Sequence, residues 1–495
     1  MELNDAITGR RAVREYTKEV VDEQTIRRLI DAGMDVARLN FSHGDHPFHR
    51  QLADWVRAAA TEAGRPVAVL QDIQGPKLRV GSFPEGRVDV PTGATIQLWP
   101  GRGEGGRGLV FIDYDHLLED VQTGEAVLLA DGLIRLRVDG SHGDHLTAIV
   151  EQGGPLGNGK GVAFPDTDLR VPAITDKDRV DLAFGRELSV DYVAASFVRS
   201  GADVEEIRNL AGGTPIIAKI ELAAAYANLD DIISQSAGVM VARGDLGVQL
   251  PLERIPLVQA DILRRTNEAG LISITATEML ESMTKSPRPT RAEVTDVANA
   301  VLEGTDAVML SAETATGAFP VEAVETMAKI CAEVEAGTPG GRGEMSYITT
   351  GEPVASAVAR SAVEAAANLG VNTIVAFTES GLTARLLSKY RASARIVAFT
   401  AVPATLARMA LYRGVRPYPF GRRDYTDVMI AAAEKFLERE GICARGDIVV
   451  MVAGIPPNQQ ASTNLMKVHI IGERDRGVLS QKTSRSGREV GGTTD

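Results

Sequence analysis

The sequence predicts an α/β protein: a parallel (β/α)8 TIM-type barrel, a small β-barrel domain inserted into it, and a C-terminal α/β domain after it. Three observations carry that expectation. Short apolar runs recur along the chain, each ending in polar residues. Amphipathic stretches of helical spacing separate most of them. One interval, from about 75 to 162, breaks the pattern and turns Gly-rich, with apolar and polar residues alternating. Continuous apolar runs are expected of parallel strands buried on both faces, and sustained strand–helix alternation means βα units.

In chain order, the strand candidates of the barrel are Val36–Phe41, Val67–Ile73, Asp191–Val198, Pro215–Glu221, Gly238–Asp245, Leu271–Thr277 and Ala307–Thr314. Helical stretches such as Pro47–Ala63, Asp203–Ala211 and Leu252–Ala269 lie between them. A closed barrel needs eight strands, and its active site forms at their C-terminal ends; these candidates number seven. The inserted domain, 75–162, offers strands at Arg87–Val90, Thr95–Trp99, Ala126–Leu129, Leu133–Val138 and Thr147–Val150. The barrel takes 34–74 and 163–335. A linker by composition opens at Ala336-Gly-Thr-Pro-Gly-Gly-Arg-Gly. The C-terminal domain, 346–472, has strand candidates Thr373–Phe377, Arg395–Phe399 and Asp447–Val452. The polar, charged stretch 473–495 reads as a disordered tail.

Composition narrows the function classes. A chain of 495 residues is too long for one ordinary core, so several domains are expected. With a formal charge of -13 it is a poor general binder of nucleic acid, although a local phosphate pocket remains open to it. Cys331 and Cys443 alone make neither a disulfide framework nor a zinc site. No apolar run approaches the roughly 20 residues that span a bilayer. The charged start lacks the apolar region of a signal peptide, so a cytoplasmic enzyme is expected.

The polar residues gather where a barrel places its site: Arg38, Asn40, Asp72, Lys219, Glu221, Asp245, Thr277, Ser311 and Glu313. Glu221 and Asp245, carboxylates from neighbouring strands, suit Mg²⁺, which takes one or two protein carboxylates and keeps its waters. Lys219 and Glu221 share a strand face by period-two alternation. An ammonium beside a bound metal suits a phosphoryl group whose charge redistributes in transfer, where catalysis is mostly positioning and electrostatics. Arg38 and Arg79 offer planar charged forks for phosphate oxygens. Backbone N–H groups of Ala242-Arg-Gly-Asp-Leu-Gly247 can cradle a carboxylate or phosphate at a helix start. Each feature alone has a plain structural explanation: a Lys-x-Glu in a strand is more often an ion pair, and His43 and His46 more often loop residues. Polar groups at the same end of successive strands point to a site.

At this point the motifs resemble those of pyruvate kinases. The matching segments run in order: Asp35-Val-Ala-Arg-Leu-Asn-Phe-Ser-His-Gly44, Gln74-Gly-Pro-Lys-Leu-Arg79, Asn158-Gly-Lys-Gly-Val162, Ser196-Phe-Val-Arg199, Ile217-Ala-Lys-Ile-Glu221, Met240-Val-Ala-Arg-Gly-Asp-Leu-Gly247, Thr275-Ala-Thr-Glu-Met-Leu-Glu-Ser-Met283 and Met309-Leu-Ser-Ala-Glu-Thr-Ala315. They cover about 34–471. The resemblance implies a barrel, a lid-like insertion and a regulatory C-terminal domain, in a homotetramer. It implies phosphoryl transfer from phosphoenolpyruvate to ADP, with Mg²⁺ (or Mn²⁺) on Glu221 and Asp245. Arg38 then meets the substrate phosphate, Lys219 the transferring phosphoryl, and the backbone of Gly244 and Asp245 the carboxylate. Thr277 falls near C3 of the enolate, with Ser311 and Glu313 on the proton path. Arg79 and Lys160 become nucleotide-phosphate contacts. Asn40, Ser42, Asp72 and the carbonyl of Ile73 match the family's monovalent-cation site. Potassium-requiring members usually carry Glu where this chain has Lys77, so activity without K⁺ is expected. Thr378, Ser380 and Thr383 lie in a segment similar to the family's sugar-phosphate effector loop, with Leu382 where a basic residue is common.

Residues 1–33 depart from that pattern. They have no Gly-Pro turn and no apolar run of strand length, and they resemble the start of a nitroreductase, whose Arg-rich segment helps hold FMN phosphate. Nothing after Gly33 supports a flavin fold. Arg14-Glu-Tyr-Thr is a poor candidate for the missing first strand. Two further readings therefore stand beside the active kinase: a catalytically impaired relative that binds metabolites, and a Mg²⁺-dependent carbon–carbon lyase of enolate chemistry.

Overall fold

A computed structural model describes residues 21–338, 348, 352–456 and 462–473. The core is a curled parallel sheet whose order is β1 (Val36–Asn40), β2 (Ala68–Asp72), β11 (Tyr192–Ala195), β12 (Ile216–Ile220), β13 (Gly238–Ala242), β14 (Ile272–Ala276) and β15 (Ala307–Val308). All seven candidate runs hold a strand, each shorter than its apolar stretch, because the polar residues at each end leave the ladder to form the barrel mouth. The run Gly238–Asp245 breaks at Ala242, and a helix, Arg243–Gln249, begins at once. The run Ala307–Thr314 keeps two strand residues before the short helix Ala312–Ala315.

Helices cover the outside. Glu23–Ala32 starts on the Asp22 side chain, which accepts from the Thr25 N–H, and stops at Gly33, whose φ of 123° a side chain would resist. Its buried Ile26, Leu29 and Ile30 fall at helical spacing on one face. Capping boxes open three more helices: Thr175 with Asp178, Ser200 with Asp203, and Thr290 with Glu293. The expected stretch Leu252–Ala269 divides into a 3₁₀ turn, Leu252–Arg254, and the helix Ile255–Glu268.

Among the described residues β1 and β15 are not paired, so the described sheet is not closed. A cavity of about 2000 Å³ runs along this seam, lined by Arg38 and Asn40 on one side and Met309 and Ser311 on the other. Ile26, Leu29, Val324 and Met327 line its outer wall. The first-strand candidate Arg14-Glu-Tyr-Thr lies outside the described residues.

The insertion is a separate mixed-sheet domain. It comprises β3 (Arg87–Val90), β4 (Thr95–Pro100), β5 (Leu109–Ile112), β6 (Ala126–Leu129), β7 (Ile134–His142), β8 (His145–Gln152), β9 (Gly154–Gly157) and β10 (Val162–Ala163). Six of these make one sheet in the order β10-β6-β7-β8-β4-β5, and β3 pairs with β9. Single bridges from Arg79 to Gly161 and from Val80 to Ile112 tie the two edges of that sheet together. The C-terminal domain is a five-stranded sheet in the order β18 (Val415–Pro419), β17 (Arg395–Thr400), β16 (Thr373–Phe377), β19 (Ile448–Ala453) and β20 (Leu465–Ile470). Sequence reasoning missed β20, and β18, whose two prolines disguise it; as an edge strand β18 tolerates them. Apolar side chains of the barrel interior, such as Tyr192 and Ile272, form one continuous core with Ala359 and Leu386 of this domain. The helix Pro320–Gly337 continues through Ala336 and Gly337, so the linker begins later than composition suggests. Most of the linker and the tail beyond Glu473 lie outside the described residues. No described helix is long and apolar enough to cross a membrane.

Candidate active site

The barrel mouth is held by a connected row of charged groups. Arg38 points inward from β1, and its Nε donates to Asp72 Oδ2 at 2.6 Å. Lys219, on β12, donates from Nζ to Ser196 Oγ at 2.7 Å and Asp72 Oδ1 at 3.2 Å, and lies 2.9 Å from Glu221 Oε1. The Ser196 hydroxyl donates in turn to the carbonyl of Ile73 at 2.7 Å. Glu221 Oε2 accepts from the N–H of Phe197 at 2.7 Å. Phe197 has a φ of 57°, a conformation uncommon outside glycine that aims this N–H at the carboxylate. Asp72 and Glu221 are each 1% exposed, so these partners decide their charge. Burial acts to raise the Asp72 pKa, but Lys219 and Arg38 together bring it below its ordinary value. Burial, and then the negative charge of Asp245, raise that of Glu221 in spite of Lys219. Lys219 is itself desolvated, yet the two carboxylates raise its pKa and hold the ammonium charged.

The donor set fits a divalent cation. Glu221 and Asp245 press negative charge on each other at one place, and each has an ammonium standing against it. Lys219 serves Glu221, and Lys77 lies 3.1 Å from Asp245 Oδ1. Two hard oxygen ligands with room for water are what Mg²⁺ takes. Among the described residues there is no group of three or more His, Cys, Asp or Glu that could hold a metal.

Thr277 sits at the end of β14 with a φ of 71°, a strained position for a β-branched residue. Arg243 holds it there. Its Nη2 donates to the Thr277 carbonyl at 2.6 Å, its Nε to the Ala276 carbonyl at 3.2 Å, and its Nη1 to Asp296 Oδ1 at 2.6 Å. Thr277 Oγ1 accepts from the Gly244 N–H at 2.8 Å and donates to the Ala276 carbonyl at 2.6 Å. Glu313 is buried and accepts from the N–H groups of Leu280 at 3.1 Å and Ser311 at 2.7 Å, tying the loops after β14 and β15 together.

Other expected residues lie as follows. Asn40 Oδ1 accepts from the Ser42 N–H at 3.1 Å. Lys77 turns toward Asp245 and Asp131, while Asp72 is shared by Arg38 and Lys219. Arg79 donates to the Gly159 carbonyl at 3.0 Å, and the Lys160 carbonyl accepts from Val80 at 2.9 Å, so both belong to the stem of the insertion. In the C-terminal domain the Thr378 hydroxyl accepts from the Gly381 N–H at 2.9 Å, and that of Ser380 from the Leu382 N–H at 3.4 Å. Thr383 shares a hydrogen bond with Thr463 at 2.7 Å, and Glu379 pairs with Arg422 at 2.9 Å.

Sequence reasoning missed four contributors. Ser196 links Lys219 to β2, and its position at a strand end was the available signal. Asp178 accepts from the Gly75 N–H at 3.1 Å, and the capping-box spacing from Thr175 marked it. Arg243 and Asp296 brace Thr277 across 53 positions of chain, which no local pattern reveals.

Fold and site together define a barrel enzyme with an inserted mixed-sheet domain and a connected row of charged side chains at the barrel mouth. Comparison with known proteins agrees. A model described as the pyruvate kinase barrel domain matches residues 17–324, and one for the pyruvate kinase alpha/beta domain matches 356–469. A pyruvate kinase of Mycobacterium tuberculosis is 43% identical over 457 residues, covering 92% of this chain and 96% of the relative. That of Geobacillus stearothermophilus is 43% identical over 456 residues, covering 90% and 77%. That of Sporosarcina psychrophila is 41% identical over 471 residues, covering 92% and 80%. The chain belongs to the pyruvate kinase family. The family match starts at residue 17, so the segment that stands apart is shorter than 1–33, and the carbon–carbon lyase reading is set aside.

Proposed function

We propose that the chain moves the phosphoryl group of phosphoenolpyruvate onto ADP using Mg²⁺ (or Mn²⁺) held by Glu221 and Asp245. The observation that carries the reading is the Lys219 ammonium, held at the barrel mouth by Ser196, Asp72 and Glu221. When bound, the divalent cation would draw charge from the phosphoryl oxygens and orient the substrate. Arg38 binds the substrate phosphate from β1, and Lys219 stands over the phosphoryl as its charge redistributes. The backbone at Gly244 and Asp245 receives the carboxylate. Thr277, fixed by Arg243, faces C3 of the enolate. Glu313 is occupied by backbone N–H groups, so the Ser311 hydroxyl is the member of that pair with a proton to hand on. Arg79 and Lys160 carry the nucleotide phosphates, and closure of the insertion excludes the water that competes with ADP. Pyruvate formation from phosphoenolpyruvate and ADP with Mg²⁺ tests this. Activity means the odd N-terminal segment is tolerated. A folded protein that binds phosphoenolpyruvate without turnover favours the impaired relative.

Three finer points belong to the same proposal. Activity without K⁺ remains the expectation, although Lys77 pairs with Asp245 and Asp131 and not with Asn40, Ser42, Asp72 or Ile73; turnover in Na⁺-free buffer should then not change when K⁺ is added. A many-fold rise would overturn this. A phosphorylated metabolite binds at Thr378, Ser380 and Thr383, where a loop meets the N-terminus of the helix Leu382–Lys389. Sugar phosphates or AMP should then lower the half-saturating phosphoenolpyruvate concentration, and unchanged kinetics across them would remove the claim. The protein acts in glycolysis as a cytoplasmic homotetramer, which sedimentation would check.

A further inference from the structure

Lys77 is shared between two domains. It lies in the stem where the barrel passes into the insertion, and its Nζ is 3.1 Å from Asp245 Oδ1 and 3.5 Å from Asp131 Oδ1. Asp245 lies in the first turn of the helix Arg243–Gln249 after β13, whereas Asp131 sits on a tight turn of the inserted domain, between β6 and β7. That turn is built for the meeting. Ala130, Asp131 and Gly132 have φ of 53°, 55° and 85°, three left-handed residues in a row, two of them with side chains. The Ala130 N–H donates to the Gly161 carbonyl at 3.0 Å. A Cβ on Gly161 would stand 2.6 Å from Asp131 Oδ1 and 3.2 Å from Lys77 Cε, so only glycine lets the pair approach. A Cβ on Gly132 would lie 3.7 Å from Val248, which places the turn against the helix that carries Asp245.

Lys77 and a divalent cation compete for the same carboxylate. A metal on Glu221 and Asp245 would take the oxygen that Lys77 now faces and would repel its ammonium. Asp131 is the second anion within reach. We propose that Asp131 is a positioning residue that receives Lys77 when metal binds Asp245, so that the inserted domain sets the metal affinity of the barrel. The inference rests on the Mg²⁺ reading of Glu221 and Asp245 and adds a residue to it.

The test is a double-mutant cycle read by Mn²⁺ binding, with free Mn²⁺ counted by electron paramagnetic resonance in the full chain without substrates. Asp131→Asn should weaken Mn²⁺ binding about fivefold, the scale of a partly exposed ion pair. Asp131→Glu, which keeps the carboxylate, should restore it. In a Lys77→Met background the same Asp131→Asn change should have little effect, because no ammonium remains to be rehoused. Asp139→Asn, an equal charge change elsewhere on the insertion, reports the effect of net charge alone. An equal loss in both backgrounds, or a loss matched by Asp139→Asn, would mean that Asp131 acts by bulk charge and would overturn the proposal. So would unchanged binding in Asp131→Asn. Mn²⁺ binding that Glu221→Gln leaves intact would overturn the Mg²⁺ reading as well, which separates the two failures.

Discussion

Lys219→Met should lower kcat by about a hundred- to a thousandfold, the loss expected when one transition-state donor is removed. Among the described residues Lys219 is the one cation that touches both Asp72 on β2 and Glu221 just past the end of β12, and it reaches them with Ser196 as a third partner. The other ammonium near these carboxylates, Lys77, pairs with Asp245 and Asp131 and not with Asp72. The substitution also leaves two buried carboxylates short of a counter-charge, a change that destabilises by about 3–5 kcal/mol when a buried pair is broken. The two effects separate by measurement. Steady-state kinetics at saturating phosphoenolpyruvate report the catalytic loss. Thermal unfolding of the same sample reports the structural one. A folded Lys219→Met protein with wild-type kcat would mean that Lys219 only balances charge.

The second large effect lies far from the site. Asp306→Ala should destabilise the protein by about 3–5 kcal/mol, read as a fall in the urea midpoint. Asp306 stands at the start of β15, and Lys389 ends the helix Leu382–Lys389 of the C-terminal domain. Both side chains are 2% exposed and directly paired. The Lys389 ammonium also donates to Asn267 Oδ1 at 2.5 Å, and Asp306 Oδ2 accepts from the Ser273 N–H at 2.8 Å. Arg391 approaches the other oxygen at 3.6 Å. Removing the anion would leave the Lys389 amine, whose pKa burial already lowers to about 8 beside Asp306, without its counter-charge in the junction between the two domains. Glu335→Gln, which breaks the more exposed pair with Arg413, should cost no more than about 1 kcal/mol. The pH dependence has a definite sign. Burial works to raise the Asp306 pKa, but Lys389 and Arg391 hold it below its ordinary 3.8. Its contribution is therefore complete above that value and is lost as pH falls through the lower folded pKa. Acid unfolding of Asp306→Ala should lack that component. Equal acid transitions in the two proteins would show that the pair contributes nothing.

These two residues differ in how far the sequence alone announced them. Lys219 was visible because it lies two positions before Glu221 at the end of an apolar run, and every neighbouring run ended in polar residues as well. Asp306 and Lys389 lie at ordinary positions of a strand start and a helix end. Only their meeting across 83 positions makes them matter. The same division holds for the fold. Apolar runs of five to eight residues and helical spacing between them reveal βα units, because both periodicities are local. They overestimated every barrel strand at its polar end, and they missed β18, whose prolines mislead any reading that does not know it is an edge.

What the sequence determined by itself is the succession of strand–helix units in the barrel, a strand-rich interruption of it, and the charged residues at the ends of the apolar runs. Those depend on hydrophobic period, turn chemistry and residue type, which are properties of neighbours in the chain. Only the tertiary structure decided how the charges are paired: Arg38 and Lys219 on Asp72, Arg243 across to Asp296, and Lys77 on Asp245 and Asp131 rather than beside Asp72. It also decided that the described sheet stays open between β1 and β15. The reason is physical. An ion pair is chosen by distance and burial among all the charges that folding brings together, and a strand edge is closed only by what lies beside it in space.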